Sequence, residues 1–383
     1  MLEGLVTWVE IDLDAIAENV RTFKRHTAKK VEIMAVVKAN AYGHGSVQVA
    51  QAALQAGATR LAVHRMIEGI ELRQAGIRAP ILIMGYTPSS GVEQIIRWQL
   101  TPSLITLEFA EALSSHALSS GSRTAVHIKV DSGMNRYGLL PCEVLGFSQA
   151  LLKLPGILLE GLFTHFATAD WNDQTYVRRQ LADFNAVVTI LQANQIQIPI
   201  LHAANSAATM KLPEAHFNAV RIGIAMYGMD PSDEWPPVFE LHPALTMKSR
   251  VSRVKDLPAG AGISYGRTLI TEKPVQAALV PVGYGDGFHR VLSNKGEVLI
   301  HGQRARILGR VCMDQFVVDI SGISGVKQDE EVVIIGSQGN ASIRAEEIAQ
   351  LAGTINYEVT TSILPRVTRV YLRNGELVAQ DNL

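Results

Sequence analysis

Short apolar runs alternate with longer amphipathic stretches over the first part of the chain. The runs are VEIMAVVKAN (31–40), RLAVHR (60–65), PILIMG (80–85), TPSLIT (101–106), TAVHIKVDSG (124–133), LEGLFTH (159–165), ILHAANS (200–206) and AVRIGIAMYG (219–228). Each is short and apolar on both faces, the pattern of a parallel strand covered on either side. Between them, 46–57, 67–76, 107–120 and 174–194 carry helical patterns. Ile16, Val20 and Phe23 set a further helix over 15–27, with Asp14 as its N-cap. Eight strand–helix units in roughly 230 residues predict a (β/α)8 barrel. The rival is a doubly wound open sheet, which would show a Gly-rich phosphate fingerprint after its first strand. Here the first strand runs instead into Lys-Ala-Asn-Ala-Tyr-Gly-His-Gly.

The rhythm changes near Pro236-Pro237. Beyond about residue 240 the segments MKSRVSRVKDL, VQAALVPVG, EVLIHG, RARILGRVCMDQFVVDI, EVVIIG and RVTRVYL read as strands between Gly and Pro turns, and RAEEIAQLAG (344–353) alone reads as a helix. The expected organisation is α/β: a (β/α)8 TIM barrel over 1–240, followed by a mostly β C-terminal domain over 241–383. TWVEIDL (7–13) precedes the first helix and is a candidate to pair with that second domain.

Composition narrows the function. Across 383 residues, 35 Lys plus Arg offset 36 Asp plus Glu, a net charge of −1. No positive excess exists to hold a nucleic-acid backbone or an anionic membrane surface, so neither is an expected partner. The 47% of apolar and 19% of charged residues fit a folded chain with a large core. The N-terminus carries Glu3, Glu10, Asp12 and Asp14 and no basic stretch, so no secretory signal is expected. Cys142 and Cys312 are the only cysteines. They suggest a reducing, cytoplasmic setting and no disulfide framework, and zinc-type spacings are absent, so no metal is expected.

In a barrel, functional side chains gather at the C-terminal ends of the strands. Lys38, Arg136, His165, Asn205, Ser206 and Arg221 fall there. A desolvated lysine loses basicity and becomes a nucleophile toward carbonyls, although Lys38 also fits a side chain reaching to the rim. Asn205-Ser206 opens a short helix after the seventh strand, and Gly223 follows the eighth. Loops in those two places are the usual phosphate site of barrels, and a plain cap plus a packing glycine is the alternative. Arg136 has the fork for a carboxylate or phenolate oxygen, or makes a surface ion pair. His165 is a hydrogen-bonded core residue or a catalyst, and His44 and His202 read as core or capping residues. In the β domain, Tyr265, Tyr284 and Tyr357 lie among Gly-rich turns, and Cys312 reads as a buried apolar residue.

AVVKANAYGHG, GMNRYG, HFATAD, HAANSAA, RIGIAMYG, SYGR, VGYGDG, GRVCMDQ and INYEVTTSILPR together closely resemble alanine racemase, over essentially the whole chain and in the family's order. The resemblance implies a cytoplasmic isomerase that uses pyridoxal 5'-phosphate. It would interconvert L- and D-alanine by a two-base mechanism and supply D-alanine for bacterial peptidoglycan. Lys38 would carry the cofactor covalently and act as one base. Tyr265 of the partner subunit would be the other, so a homodimer with shared sites is implied. Tyr42, Ser206, Tyr357 and the amides of Gly223 and Ile224 would hold the phosphate, beside Asn205. Arg221 would face the pyridine nitrogen and His165 would pack by the ring. Arg136 would contact the phenolic oxygen and the substrate carboxylate, which Met313 of the partner subunit would also bind. Asp170, Tyr284, Arg290, Arg310 and Ile355 would line the access corridor, and Lys129 matches a lysine that is often carbamylated.

Arg221 and SYGR argue against a decarboxylase of the same architecture, which would place an acid at the ring nitrogen. The β domain argues against a non-catalytic cofactor-binding barrel. A racemase of broader or serine specificity remains open, because one hydroxyl discriminates weakly in a small pocket. HRMIEGIELR departs from the family at His64 and Arg65, where smaller or more acidic residues are expected.

Overall fold

The computed structural model describes residues 4–236 and 238–381. Glu3 and Pro237, both named above, lie outside the described residues. The chain divides into two compact units. One comprises Ile16–Ala41 and Ser46–His242; the other comprises Met1–Ala15, Tyr42–Gly45 and Pro243–Leu383.

The chain opens with β1 (Thr7–Asp12) and the helix Leu13–His26. The cap of that helix is Asp12 rather than Asp14, since Asp12 Oδ1 accepts from the amides of Asp14 and Ala15 at 2.9 and 3.0 Å. Asp14 sits in the first turn, where its charge suits the helix dipole. Ile16, Val20 and Phe23 are fully buried along one stripe.

The first unit is the barrel. Its strands are β2 (Glu32–Val36), β3 (Arg60–Val63), β4 (Ile81–Ile83), β5 (Thr101–Leu104), β6 (Thr124–Lys129), β7 (Ile157–Phe163), β8 (Ile200–His202) and β9 (Ala219–Ile222). All paired neighbours run parallel, in the order β8-β7-β6-β5-β4-β3-β2-β9. The ring is nearly closed. At the β8–β9 seam, single hydrogen bonds replace a ladder among the described residues. Leu201 N donates to Asn218 Oδ1 at 2.7 Å, and Arg221 N donates to the Ala204 carbonyl at 3.0 Å. Helices Ser46–Gln55, Met66–Gln74, Leu107–Ser119 and Thr175–Ala193 fall where the apolar spacing placed them. Val92–Arg97 and Val144–Leu151 are helices that the sequence reading passed over.

The first strand ends earlier than its apolar run. Lys38 opens a left-handed turn in which Ala39, Asn40, Ala41 and Tyr42 have φ of 52°, 50°, 52° and 54°. Left-handed residues with a Cβ cost about 1–2 kcal/mol each, so such a turn needs fixed partners. Ala39 N donates to Glu68 Oε1 at 2.7 Å, Ala41 N to the Val37 carbonyl at 3.0 Å, and Ser46 N to Asn40 Oδ1 at 2.8 Å.

The second unit is mostly β. It contains β1 and β10 (Leu245–Arg250), β11 (Arg253–Leu257), β12 (Gly262–Ile263), β13 (Leu269–Ile270), β14 (Val275–Val280), β15 (Glu297–Ile300), β16 (Gln303–Leu308), β17 (Phe316–Asp319), β18 (Glu331–Gln338), β19 (Ala341–Ile343), β20 (Thr368–Arg373) and β21 (Glu376–Gln380). β12 and β13 form a separate pair, and the rest form one sheet. β1 lies within that sheet, antiparallel to β10 and parallel to β20. β10 alternates buried and half-buried positions, the period of a sheet with one face on a core. The Gly-His-Gly of the first motif has a packing cause here. A Cβ on Gly43 would collide with the Thr360 carbonyl, and one on Gly45 with the Tyr371 hydroxyl.

Candidate active site

Lys38, Lys129 and Arg221 come from the strand ends of the barrel, and Arg136 from the loop after β6. The Lys38 amine is half-buried, and burial lowers its pKa, with the Arg136 cation adding to the effect and Glu68 opposing it. Burial also brings Lys129 down to about 8, helped by Arg221 and Arg136 and opposed by Asp131. Its Nζ lies 5.0 Å from the Tyr137 ring centroid and 5.5 Å from that of Phe163. The mouth thus concentrates positive charge against itself, and that state favours an anionic ligand.

Arg136 is exposed, and its loop is built around Asp131. Asp131 Oδ1 accepts from the amides of Gly133 and Asn135 at 3.0 and 2.9 Å, and Oδ2 from the Arg136 amide at 3.0 Å. The ion-pair alternative for Arg136 finds no acidic partner within salt-bridge distance among the described residues.

Arg221 is 2% exposed. Its Nη1 donates to His202 Nδ1 at 2.9 Å and to the His202 carbonyl at 3.1 Å. Its Nη2 meets the carbonyls of Thr164 and Ala203 at 2.8 and 2.9 Å, and His165 Nδ1 at 3.2 Å. No hydrogen bond reaches Nε among the described residues. Burial brings the guanidinium to about 10, still charged near neutrality. His165 is held well below the usual imidazole range by burial and by the Arg221 cation. It is therefore neutral, with Nδ1 as its acceptor and the proton on Nε2.

Asn205 caps the helix Ser206–Lys211, its Oδ1 accepting from Ala208 N at 2.9 Å. Ser206 Oγ accepts from Gly223 N at 2.9 Å and from Ala225 N at 3.5 Å. The loop after β9 is thus tied to the helix after β8. The Gly223 amide is directed at Ser206 rather than outward, and Gly223 has a negative φ of −114°. Asp170, in a loop of the same unit, has its pKa raised by burial, and its carbonyl accepts from Ser232 Oγ and Trp235 Nε1.

The β unit carries the remaining candidates. Tyr265 is 72% exposed at the tip of a tight turn in which Ser264, Gly266 and Arg267 all have positive φ. Ser264 Oγ donates to the Arg310 carbonyl at 2.7 Å and lies 3.3 Å from Cys312 Sγ. Half-buried Cys312 is thus a support of the tyrosine turn rather than a fully buried apolar residue. Met313, Tyr284 and Ile355 are exposed by 53%, 40% and 54%. Arg290 is exposed too. The Tyr42 and Tyr357 rings are 6.0 Å apart, and burial raises the Tyr42 hydroxyl, so it is a neutral donor.

Sequence reasoning missed several residues. Glu68 accepts three amides, those of Ala39, His64 and Arg65, and so braces the lysine turn. Arg366 clamps Asp286 at 2.7 Å and Asp314 at 2.9 Å, joining three of the motifs quoted above. A glutamate at the start of a helical stretch is a capping signal; nothing local marks the clamp. His64, just past the end of β3, keeps an exposed face, and the partial burial of its ring together with the Lys38 cation lowers its pKa.

Among the described residues, no helix is long and apolar enough to cross a membrane. Residues 11–231 match the family model of the alanine racemase N-terminal domain, and 244–371 that of the alanine racemase C-terminal domain. The chain is 46% identical to an alanine racemase of Clostridium perfringens, covering 97% of this chain and 96% of the relative. Against an alanine racemase of Carboxydothermus hydrogenoformans the identity is 47%, over 95% and 99%. The crystal structure of alanine racemase from Bacillus anthracis with bound L-Ala-P superposes with a TM-score of 0.93 at 43% identity, covering 98% of this chain and 97% of that one. Both halves are matched, in order and at nearly full length in either direction, and the chain belongs to the alanine racemase family.

Proposed function

We propose that this protein interconverts L- and D-alanine with pyridoxal 5'-phosphate, as a cytoplasmic homodimer that supplies D-alanine for peptidoglycan. The observation that carries the reading is a desolvated Lys38 amine in a mouth where the cations Lys129, Arg136 and Arg221 outnumber the nearby carboxylates Glu68 and Asp131. An aldehyde bearing a phosphate fits that donor set. The amine is biased toward its nucleophilic form, the cations suit the phosphate and phenolate charges, and the Nε of buried Arg221 can serve a ring nitrogen.

In this reading Lys38 holds the cofactor. Ser206, Tyr42, Tyr357 and the Ile224 amide would hold its phosphate, beside Asn205 and His165, with the Gly223 amide acting through Ser206, to which it donates. The cofactor supplies an electron-withdrawing ring that acidifies the α-proton of the bound amino acid. Arg136 and the backbone of Met313 of the partner subunit orient the substrate carboxylate. Lys38 takes or returns the proton on one face, and Tyr265 of the partner subunit serves the other. Arg221 only donates, so it keeps the ring a moderate electron sink and favours reprotonation at the α-carbon over side reactions. A carbamylated Lys129 would carry negative charge toward Arg136, and its lowered pKa supports the neutral amine that carbamylation requires. Asp170, Tyr284, Arg290, Arg310 and Ile355 line the access corridor.

Purified protein given L-alanine, L-serine and L-lysine separately should lose optical rotation with alanine and release no carbon dioxide. Borohydride reduction followed by peptide mapping should place the pyridoxyl group on Lys38. Carbon dioxide release, or label on another lysine, contradicts the reading. Inactive Lys38→Ala and Tyr265→Ala proteins should recover activity after subunit exchange, since one site of each mixed dimer is intact.

A further inference from the structure

The barrel interior contains a line of polar side chains that begins at Arg221 and runs away from the mouth. Arginine only donates, so His202 Nδ1, 2.9 Å from Nη1, is an acceptor. The His202 proton then sits on Nε2, which lies 2.9 Å from His127 Nδ1. That makes His127 Nδ1 an acceptor and its Nε2 a donor, directed at Glu160 Oε2 at 3.0 Å. Glu160 is gripped by the Arg60 fork at 3.1 and 3.2 Å, and Arg60 Nε donates to Glu32 Oε2 at 2.8 Å. Both histidines are buried, at 0% and 1% exposure.

Three features show that the line is built. The β6–β7 register shifts between Val126 and His127, so that Leu159 pairs with Val126, Gly161 with His127, and Glu160 is the extra residue of a bulge. A bulge re-aims a side chain. The residue beside it is glycine, and a Cβ there would collide with the His127 ring. Phe163 then covers the line. Its ring stacks on His202 at 4.7 Å and 4°, and meets His127 edge-on at 6.4 Å. Barrel interiors are normally layers of branched aliphatic residues, and a buried polar chain is tolerated only when every member is satisfied. Here every donation runs the same way, from Arg221 to Glu160.

We propose that Glu160, through His127 and His202, is a positioning residue for the racemase reaction: its relay fixes the His202 tautomer and so holds the Arg221 guanidinium with Nε left for the cofactor ring nitrogen. The role of Nε rests on the function proposed above; the relay itself does not. Without Glu160 the His127 Nε2 proton loses its acceptor, the line is held from the Arg221 end alone, and Arg221 gains alternative positions along the β8–β9 seam.

Neutron diffraction from deuterium-exchanged holoenzyme crystals should find deuterium on Nε2 of His202 and His127 and none on either Nδ1. A deuteron on Nδ1 of either ring overturns the relay. Glu160→Leu removes the acceptor. Glu160→Gln keeps an acceptor and a partner for Arg60, which guards against misfolding. Relative to the parent, kcat should fall about tenfold for Glu160→Leu and about threefold for Glu160→Gln, with KM within about twofold, because orientation is lost and substrate contacts are kept. The pH midpoint of the resting cofactor's visible band should move down in both variants, since a negative charge has left the barrel. Parent kcat and an unmoved midpoint in both variants refute the positioning role. A tautomer lock that breaks in Glu160→Leu, with kcat reduced but an unchanged band and no rise in transamination, keeps the relay and removes instead the reading that Arg221 serves the ring nitrogen.

Discussion

Arg221 in the barrel and Arg369 in the β unit are buried alike, at 2% and 3% exposure, yet they are held in different ways. Arg369 directs Nε to the Gly43 carbonyl, Nη1 to those of Leu364 and Val367, and Nη2 to that of Ile363. All three nitrogens close on backbone. Arg221 also satisfies strand-end carbonyls, but two of its bonds end on histidines and Nε has no protein acceptor among the described residues. Burial of an arginine is therefore no guide to its role. What separates a brace from a tool is whether one donor is left over.

Replacing the tool should give the largest effect. Arg221→Glu should lower racemase kcat/KM about 10²–10³-fold, the scale of losing one aimed donor or reversing its charge. Pyruvate should form from alanine, because a nearby carboxylate favours a protonated ring. Glutamate would also face the carbonyls of Thr164, His202 and Ala203, so Arg221→Lys is the control for folding. Parent-rate racemisation in Arg221→Glu would place Arg221 among the braces.

Replacing the brace should act on stability instead. Arg369→Leu takes a donor from four carbonyls, of which that of Leu364 keeps the Val367 amide, and should cost about 3–5 kcal/mol, read from the urea midpoint by tryptophan fluorescence. Activity per folded molecule should be unchanged; a selective loss of kcat would erase the distinction.

Acid offers a third, smaller probe. Burial holds His202 and His127 below the usual imidazole pKa, so the unfolded chain binds protons that the barrel refuses. That contribution is complete above the unfolded pKa near 6.5. It is lost as pH falls below it, by up to about 1.4 kcal/mol per pH unit for each histidine. Urea midpoints should drop between pH 6.5 and 5, and His127→Phe should flatten the slope. An equally steep slope in that variant would locate the acid sensitivity elsewhere. The smallest effect sets the scale: Asp12→Ala removes a helix cap and should cost about 1 kcal/mol by the same measurement.

The barrel was legible because its strands are apolar on both faces, and that signature survives without an alignment. The lysine at the end of the first run was legible for the same reason: a charge that closes VEIMAVV is conspicuous. The left-handed turn after it was not. Only Asn40 among Ala39, Asn40, Ala41 and Tyr42 is a residue type that favours such φ values, and Glu68, which braces the turn, is distant in sequence. His202 read as a core residue, which is correct for its burial and silent about its bond to Arg221. His127 and Glu160 each look like single polar interruptions of an apolar run. Their meeting depends on a bulge, and the Glu-Gly pair inside LLEGLF was the one local hint of it. The short helices Val92–Arg97 and Val144–Leu151 offer too few turns for a period to stand out.

The place of β1 has a consequence for how the chain is made. Thr7 pairs with Ser249, and Trp8 pairs with Thr368 on the other side. A ribosome that adds about 5–20 residues per second would release β1 roughly 10 to 50 seconds before its first partner strand exists. Through that interval β1, with Trp8 and Ile11 destined for full burial, has neither neighbour to cover it. The barrel strands behind it meet most of their neighbours within a few dozen residues. Synthesis should therefore pass through a stage in which the barrel can form while a sticky leading strand waits. At that stage a chaperone that recognises short apolar segments has the most to do.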